Sequence, residues 1–122
     1  MINGYIILFL LLGVAFAAVH QFAVMASLYW YYWWFDIPMH LWGGIMVGFG
    51  VHVLATFKSF KIKANLTVLL LFLTLVTLSW EVFEWSVGLF DPENHLMDTA
   101  QDIVLGFSGG LLAHTILRRY RI

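Results

Sequence analysis

Three pairs of residues in this sequence have the types and spacing to do chemistry: Asp36 with His40, Glu81 with Glu84, and Asp98 with Asp102. Steps of three or four residues put both members of a pair on one face of a helix. The chain has no cysteine, so thiolate ligands, disulfides and cysteine nucleophiles are excluded. Carboxylates with imidazole are hard or borderline donors, suited to a divalent Mg, Mn, Zn or Fe ion. Around a metal, such a set activates water and neutralises charge at a phosphoryl or acyl centre. Without one, crowded carboxylates share protons, and proximity pushes their pKa values apart into a general acid and a general base. No Ser-His-Asp order, Gly-rich phosphate loop or HExxH motif offers another route. The Glu-x-x-His pattern of di-iron bundles is replaced in WEVFEW by Glu-x-x-Glu.

The elements that must hold these pairs follow from composition. Of 122 residues, 62% are apolar and 11% charged, with a mean hydropathy of +0.89. That is too little polar surface for a soluble globule of this size, and the chain reads as an integral membrane protein. A net charge of -1 with six basic residues leaves no broad positive face for nucleic acid. Four apolar stretches of about 20 residues, each enough to cross a hydrocarbon core of ~30 Å, run over about 4–27, 37–57, 65–89 and 99–117. The expected fold is therefore all-α, an integral membrane four-helix bundle forming a single transmembrane domain over 1–122. No repeat is apparent in the residues, although a pairing of helices 1 and 2 with helices 3 and 4 is compatible with them. The first stretch carries small residues at Ala15, Ala17 and Ala18 but no Lys or Arg before it, which argues against a signal peptide.

Charge asymmetry sets the expected orientation. Lys58, Lys61 and Lys63 lie between helices 2 and 3, and Arg118, Arg119 and Arg121 follow helix 4. Four crossings bring both groups to one side, which the positive-inside rule makes cytoplasmic, with both termini there. The expected location is the inner (plasma) membrane, crossed several times. All seven acidic residues fall at or near the opposite face, and Glu81, Glu84, Asp102 and His40 lie within helices, where charge is expensive. The aromatic run from Tyr29 to Phe35 suits the outer headgroup level.

Helical spacing points the polar groups inward. Thr67, Thr74, Thr77, Glu81, Glu84 and Gly88 form a stripe on helix 3; Asp98, Asp102, Gly106, Gly109 and Gly110 cluster on helix 4. Gly43, Gly44 and Gly48 continue below His40, and small residues let helices approach closely in lipid. Simpler roles stand beside these. Asp98 begins DTAQ and suits an N-cap with Gln101 closing a capping box; Asp36, two residues before Pro38, suits another. Asp91, Pro92 and Glu93 suit a solvated turn, and His95 an exposed side chain. His52 and His114, near the inner helix ends, suit snorkelling or a hydrogen bond. The Asn65 sequon falls on the expected inner side.

The segments DIPMHLWGG, WEVFEW and DTAQDIVLGFSGG resemble the elements of small membrane proteins of the YjdF-like and VanZ-like kind. Carried over by position, the resemblance singles out Asp36, His40, Glu81, Glu84, Asp98 and Asp102. Gly106 stands where such proteins often have Asn. The resemblance implies a polytopic bacterial or archaeal membrane protein and little about reaction, with VanZ-like members associated with glycopeptide resistance.

The leading expectation is metal-assisted hydrolysis or transfer on a lipid or lipid-linked headgroup entering from the outer leaflet. Glu81, Glu84, Asp98 and Asp102 would hold metal, with Asp36 and His40 as ligand or acid/base. Membrane lipid is the expected partner, with a homo-oligomer as a further option. The alternatives are cation or proton transport and a non-enzymatic membrane subunit or haem protein, with His52 and His114 as the haem ligands near the inner face.

Overall fold

The computed structural model describes the backbone of residues 4–86 and 95–120, and their side chains except at 95, 96, 98 and 120. The helices are α1 (Gly4–Met25), a short α2 (Leu28–Tyr31), α3 (Asp36–Ala55), α4 (Leu66–Ser86) and α5 (His95–Tyr120), with a 3₁₀ turn at Lys58–Phe60. There is no strand among the described residues. Helices α1, α3, α4 and the Thr99–Arg119 part of α5 are long and apolar enough to cross a membrane, as the hydropathy predicts.

The helix ends differ from expectation for local reasons. The first helix stops at Met25 because Ser27 turns into the left-handed region, φ 57°. Helix α3 starts at Asp36, with Phe35 at the cap position and no side-chain cap bond, so Asp36 lies in the first turn and is not the N-cap. Helix α5 starts at His95, four residues before the expected boundary. Asp98 is therefore already within the helix, which removes the capping box with Gln101. Asn65 is a cap, its Oδ1 accepting from the Val68 N–H at 2.9 Å at the start of α4. Gly88, Asp91, Pro92 and Glu93 lie outside the described residues.

Helices α3 and α5 form the centre of the molecule and run parallel. A Cβ added at Gly44 would lie 2.0 Å from the Gly106 carbonyl oxygen, and one at Gly48 2.6 Å from that of Gly110. One at Gly109 would lie 2.2 Å from the Leu41 carbonyl oxygen. Backbone meets backbone here, and a small residue on one turn after another permits the approach in lipid. One turn beyond the glycines at one end, His40 meets Asp102; one turn beyond them at the other, His52 meets His114.

That register exposes a repeat that did not stand out in the sequence. Asp36, His40, Gly44, Gly48 and His52 on α3 correspond, 62 residues on, to Asp98, Asp102, Gly106, Gly110 and His114 on α5. The four-residue step fixes one face of each helix, and these two faces are the ones in contact.

Helices α1 and α4 flank the central pair and present most of their apolar side chains outward. On one side Tyr5 and Phe9 pack on Phe49, with ring centroids 6.3 and 6.0 Å apart, and Phe16 meets Trp42 edge-on at 5.5 Å. On the other, Leu69 and Leu73 of α4 are fully buried with Val51, and Leu73 fills the space a side chain at Gly110 would need. Within the expected Thr stripe, Thr77 lies against Gly106. Thr67 and Thr74 are exposed instead, so the stripe faces inward only over its later part.

Candidate functional site

The acidic end of the central pair gathers residues from three helices. His40 Nε2 on α3 lies 3.1 Å from Asp36 Oδ1, one turn before it, and 3.1 Å from Asp102 Oδ1 on α5. Exposure falls across the three side chains, from 40% at Asp36 to 17% at His40 and 3% at Asp102, so the group runs from the rim into the interior. Glu81 and Glu84, one turn apart near the end of α4, close on the same Asp102 from the other side. Thr99 Oγ1 donates to Glu81 Oε2 at 3.1 Å and ties α4 to α5.

Two sets of three result. In Asp36, His40 and Asp102, and again in Glu81, Glu84 and Asp102, one donor atom from each residue lies within 4.8 Å of the others. Asp102 belongs to both. Two unit charges at 4.8 Å repel by about 3.5 kcal/mol at an effective dielectric of ~20, so four ionised carboxylates here require protons or cations among them. Five of the six residues selected by helical spacing come together: Asp36, His40, Glu81, Glu84 and Asp102. The side chain of the sixth, Asp98, lies outside the described residues.

Beside the rim, the aromatic connector contributes a group that the sequence does not mark out. Tyr29 hydroxyl and His20 Nδ1 are hydrogen-bonded at 2.8 Å, and the Tyr29 ring meets Phe35 edge-on at 5.1 Å. Burial, followed by the nearby Asp36 carboxylate, pushes the Tyr29 hydroxyl up to about 12, because both disfavour a phenolate. Trp30, Tyr31 and Trp33 are exposed around it.

A family model described as "Predicted membrane protein (DUF2238)" matches residues 4–122. The chain belongs to that family. No curated protein and no solved structure matches it. This DUF2238 protein is a small multi-pass membrane protein in contact with lipid.

At the basic end of the DUF2238 protein the central pair closes on His52 and His114, whose Nε2 and Nδ1 are 3.0 Å apart. Their expected hydrogen-bonding role holds, although the partner of each is the other. The signal that could have identified this histidine pair was present in the residues, whereas none singled out Tyr29. Tyr29 lies nine residues after His20, across the break that ends α1, and the two inner histidines occupy equivalent places in the repeat.

Proposed function

We propose that this DUF2238 protein uses the Asp36, His40, Glu81, Glu84 and Asp102 cluster to hold divalent metal for hydrolysis or transfer on a lipid or lipid-linked headgroup. The observation that carries the reading is Asp102, buried at the junction of two donor sets. Oxygen-rich donors with one imidazole fit Mg, Mn, Zn or Fe. Four carboxylates carry a formal charge of about -4 within helices that cross a membrane, which two divalent ions would balance and one would not. A bound ion would supply Lewis-acid activation of water.

The protein's own groups divide the remaining work. Asp102 would bridge the two sets, with Glu81 and Glu84 holding one side and Asp36 and His40 the other. Asp36, at the exposed rim, is the group best placed to exchange protons with an entering headgroup. Thr99 fixes the orientation of Glu81 through its 3.1 Å hydrogen bond. Asp98, also named by the likeness to YjdF-like and VanZ-like proteins, would extend the set. The exposed rings beside the rim suit the level of lipid headgroups, and an outer-leaflet site in the plasma membrane with both termini cytoplasmic follows from the placement of Lys and Arg. Transport draws less support, since Gly44, Gly48, Gly106 and Gly110 close the central interface backbone to backbone between its two polar ends.

Metal content tests the reading. Protein purified without chelator and titrated with Mn²⁺ is expected to bind two ions, and Asp102→Asn to lose both. Glu84→Gln should lose one while its unfolding stability holds or rises, because a like-charge repulsion is removed. Absence of any saturable Mn²⁺ binding by the folded wild-type protein would reject the metal reading and leave a proton-sharing cluster.

A further inference from the structure

The other end of the molecule carries a second built feature, independent of the acidic cluster. His52 and His114 face each other across the central pair at 3.0 Å, with ring centroids 5.1 Å apart and His114 only 5% exposed. Helix α3 ends at Ala55, three residues past its histidine, whereas α5 runs on to Tyr120 and carries Arg118 one turn beyond His114. His114, Thr115, Arg118 and Arg119 line an open surface cavity of about 320 Å³. Basic residues at a helix C-terminus and at one membrane face have ordinary explanations in the helix dipole and the positive-inside rule. Those explanations account for the charges. They do not account for a buried, hydrogen-bonded imidazole forming the wall of the cavity between them.

The available donors define what fits. Thr115 gives its hydroxyl proton to the Leu111 carbonyl at 2.8 Å, so it contributes no donor to the cavity. His114 Nδ1 is engaged with His52, which leaves Nε2 as the nitrogen it can offer. The Arg118 guanidinium adds a planar fork that matches two oxygens of one phosphate. The carboxylates of Asp36, Glu81, Glu84 and Asp102 all sit at the opposite end, and Asp102 is twelve helical residues from His114, about 18 Å at the helical rise. No described carboxylate competes for the site.

We propose that this cavity binds a phosphate group, held by the Arg118 guanidinium and the His114 Nε2–H. Binding fixes the tautomers of the histidine pair. With its proton on Nε2, His114 has a bare Nδ1, which must accept from His52 Nε2–H, and His52 Nδ1 is left without a proton. Occupancy on α5 is thereby reported on α3.

The test uses the full chain with ¹⁵N-labelled histidine, following the imidazole resonances of His52 and His114. Inorganic phosphate is titrated in a zwitterionic detergent at constant ionic strength with chloride as the control. In parallel, the protein is compared in phosphatidylcholine and phosphatidylglycerol nanodiscs. The expected result is a saturable shift of both histidines toward the stated tautomers. A response to inorganic phosphate assigns a soluble phosphate compound; a response only to phosphatidylglycerol assigns a lipid headgroup. Arg118→Gln should weaken the response at least tenfold, and Arg118→Lys should weaken it less, with helical content unchanged because Arg118 is exposed. No shift beyond chloride in any medium, or an undiminished response in folded Arg118→Gln, overturns the proposal.

Discussion

Adding one methyl group at Gly44 tests the central packing against a neighbour that differs only in direction. In Gly44→Ala the new Cβ would sit 2.0 Å from the Gly106 carbonyl oxygen, 2.7 Å from its carbon and 2.9 Å from its Cα. All three atoms are backbone, so no side-chain rotation relieves them. Ordinary contact begins near 3.4 Å, and α3 and α5 must part by about 1.4 Å, the difference between the two distances. Carried one turn along the helices, that movement takes the His40 to Asp102 contact from 3.1 Å to about 4.5 Å, beyond hydrogen-bond reach. Overpacking of this kind costs about 1–3 kcal/mol, against a helix-propensity gain of about 1 kcal/mol for replacing glycine with alanine. Rigid backbone on both sides puts the cost at the upper end, for a net loss of about 2 kcal/mol. Gly43→Ala is the control. Its nearest neighbour is Phe16 Cζ at 4.0 Å, so it keeps the propensity gain of up to about 1 kcal/mol without the clash. Reversible unfolding in mixed micelles should therefore separate the variants by about 3 kcal/mol, roughly a hundredfold in the equilibrium constant. Equal midpoints for Gly43→Ala and Gly44→Ala would refute the backbone-to-backbone pairing of α3 with α5.

Two further outcomes follow from the connector and the charge placement. Tyr29 should ionise late in a near-ultraviolet pH titration, at about 12, and Tyr29→Phe should remove that late phase. Since its folded value is raised from 10.0, its contribution to stability is complete below about pH 10 and is lost as pH rises through about 12. A midpoint near pH 10 in the difference between the wild-type and Tyr29→Phe titrations would contradict the half-buried placement of Tyr29. Single cysteines at Ser59 and Trp33 should react with an impermeant thiol reagent from opposite sides of intact cells, Trp33→Cys from outside; labelling of both from one side would overturn the orientation.

The spans and the acidic cluster were legible in the sequence because each depends on a property of one helix at a time. Apolar length marks a crossing, and a three- or four-residue step puts Glu81 with Glu84 and Asp36 with His40 on shared faces. Which helix each face meets is a pairwise property, and periodicity is silent about it. The repeat went unseen for the same reason. Its residues lie one turn apart, and the positions between them are free to vary as long as they are apolar. The inward reading of Thr67 and Thr74 failed because spacing does not say how far a stripe stays inside, and a helical hydroxyl can return its proton to a carbonyl one turn back whichever way it faces, as half-buried Thr77 does at 2.6 Å. Thr115 and Ser108 do this at 2.8 and 2.7 Å, both in exposed positions. Tyr29 was hidden among six neighbouring rings that all suit a headgroup level.

The pairing of α3 with α5 also sets an order of events during synthesis. The equivalent residues of the two helices are 62 positions apart, so at ~5–20 residues per second α3 precedes its partner by about 3–12 s. For that interval Asp36 and His40 have no α5 beside them. Their own contact, 3.1 Å across a single turn, is internal to α3 and needs no other helix, so it can form as soon as that turn does. Asp102 then joins a pair that already exists, so His40 has one carboxylate partner before its second has been translated.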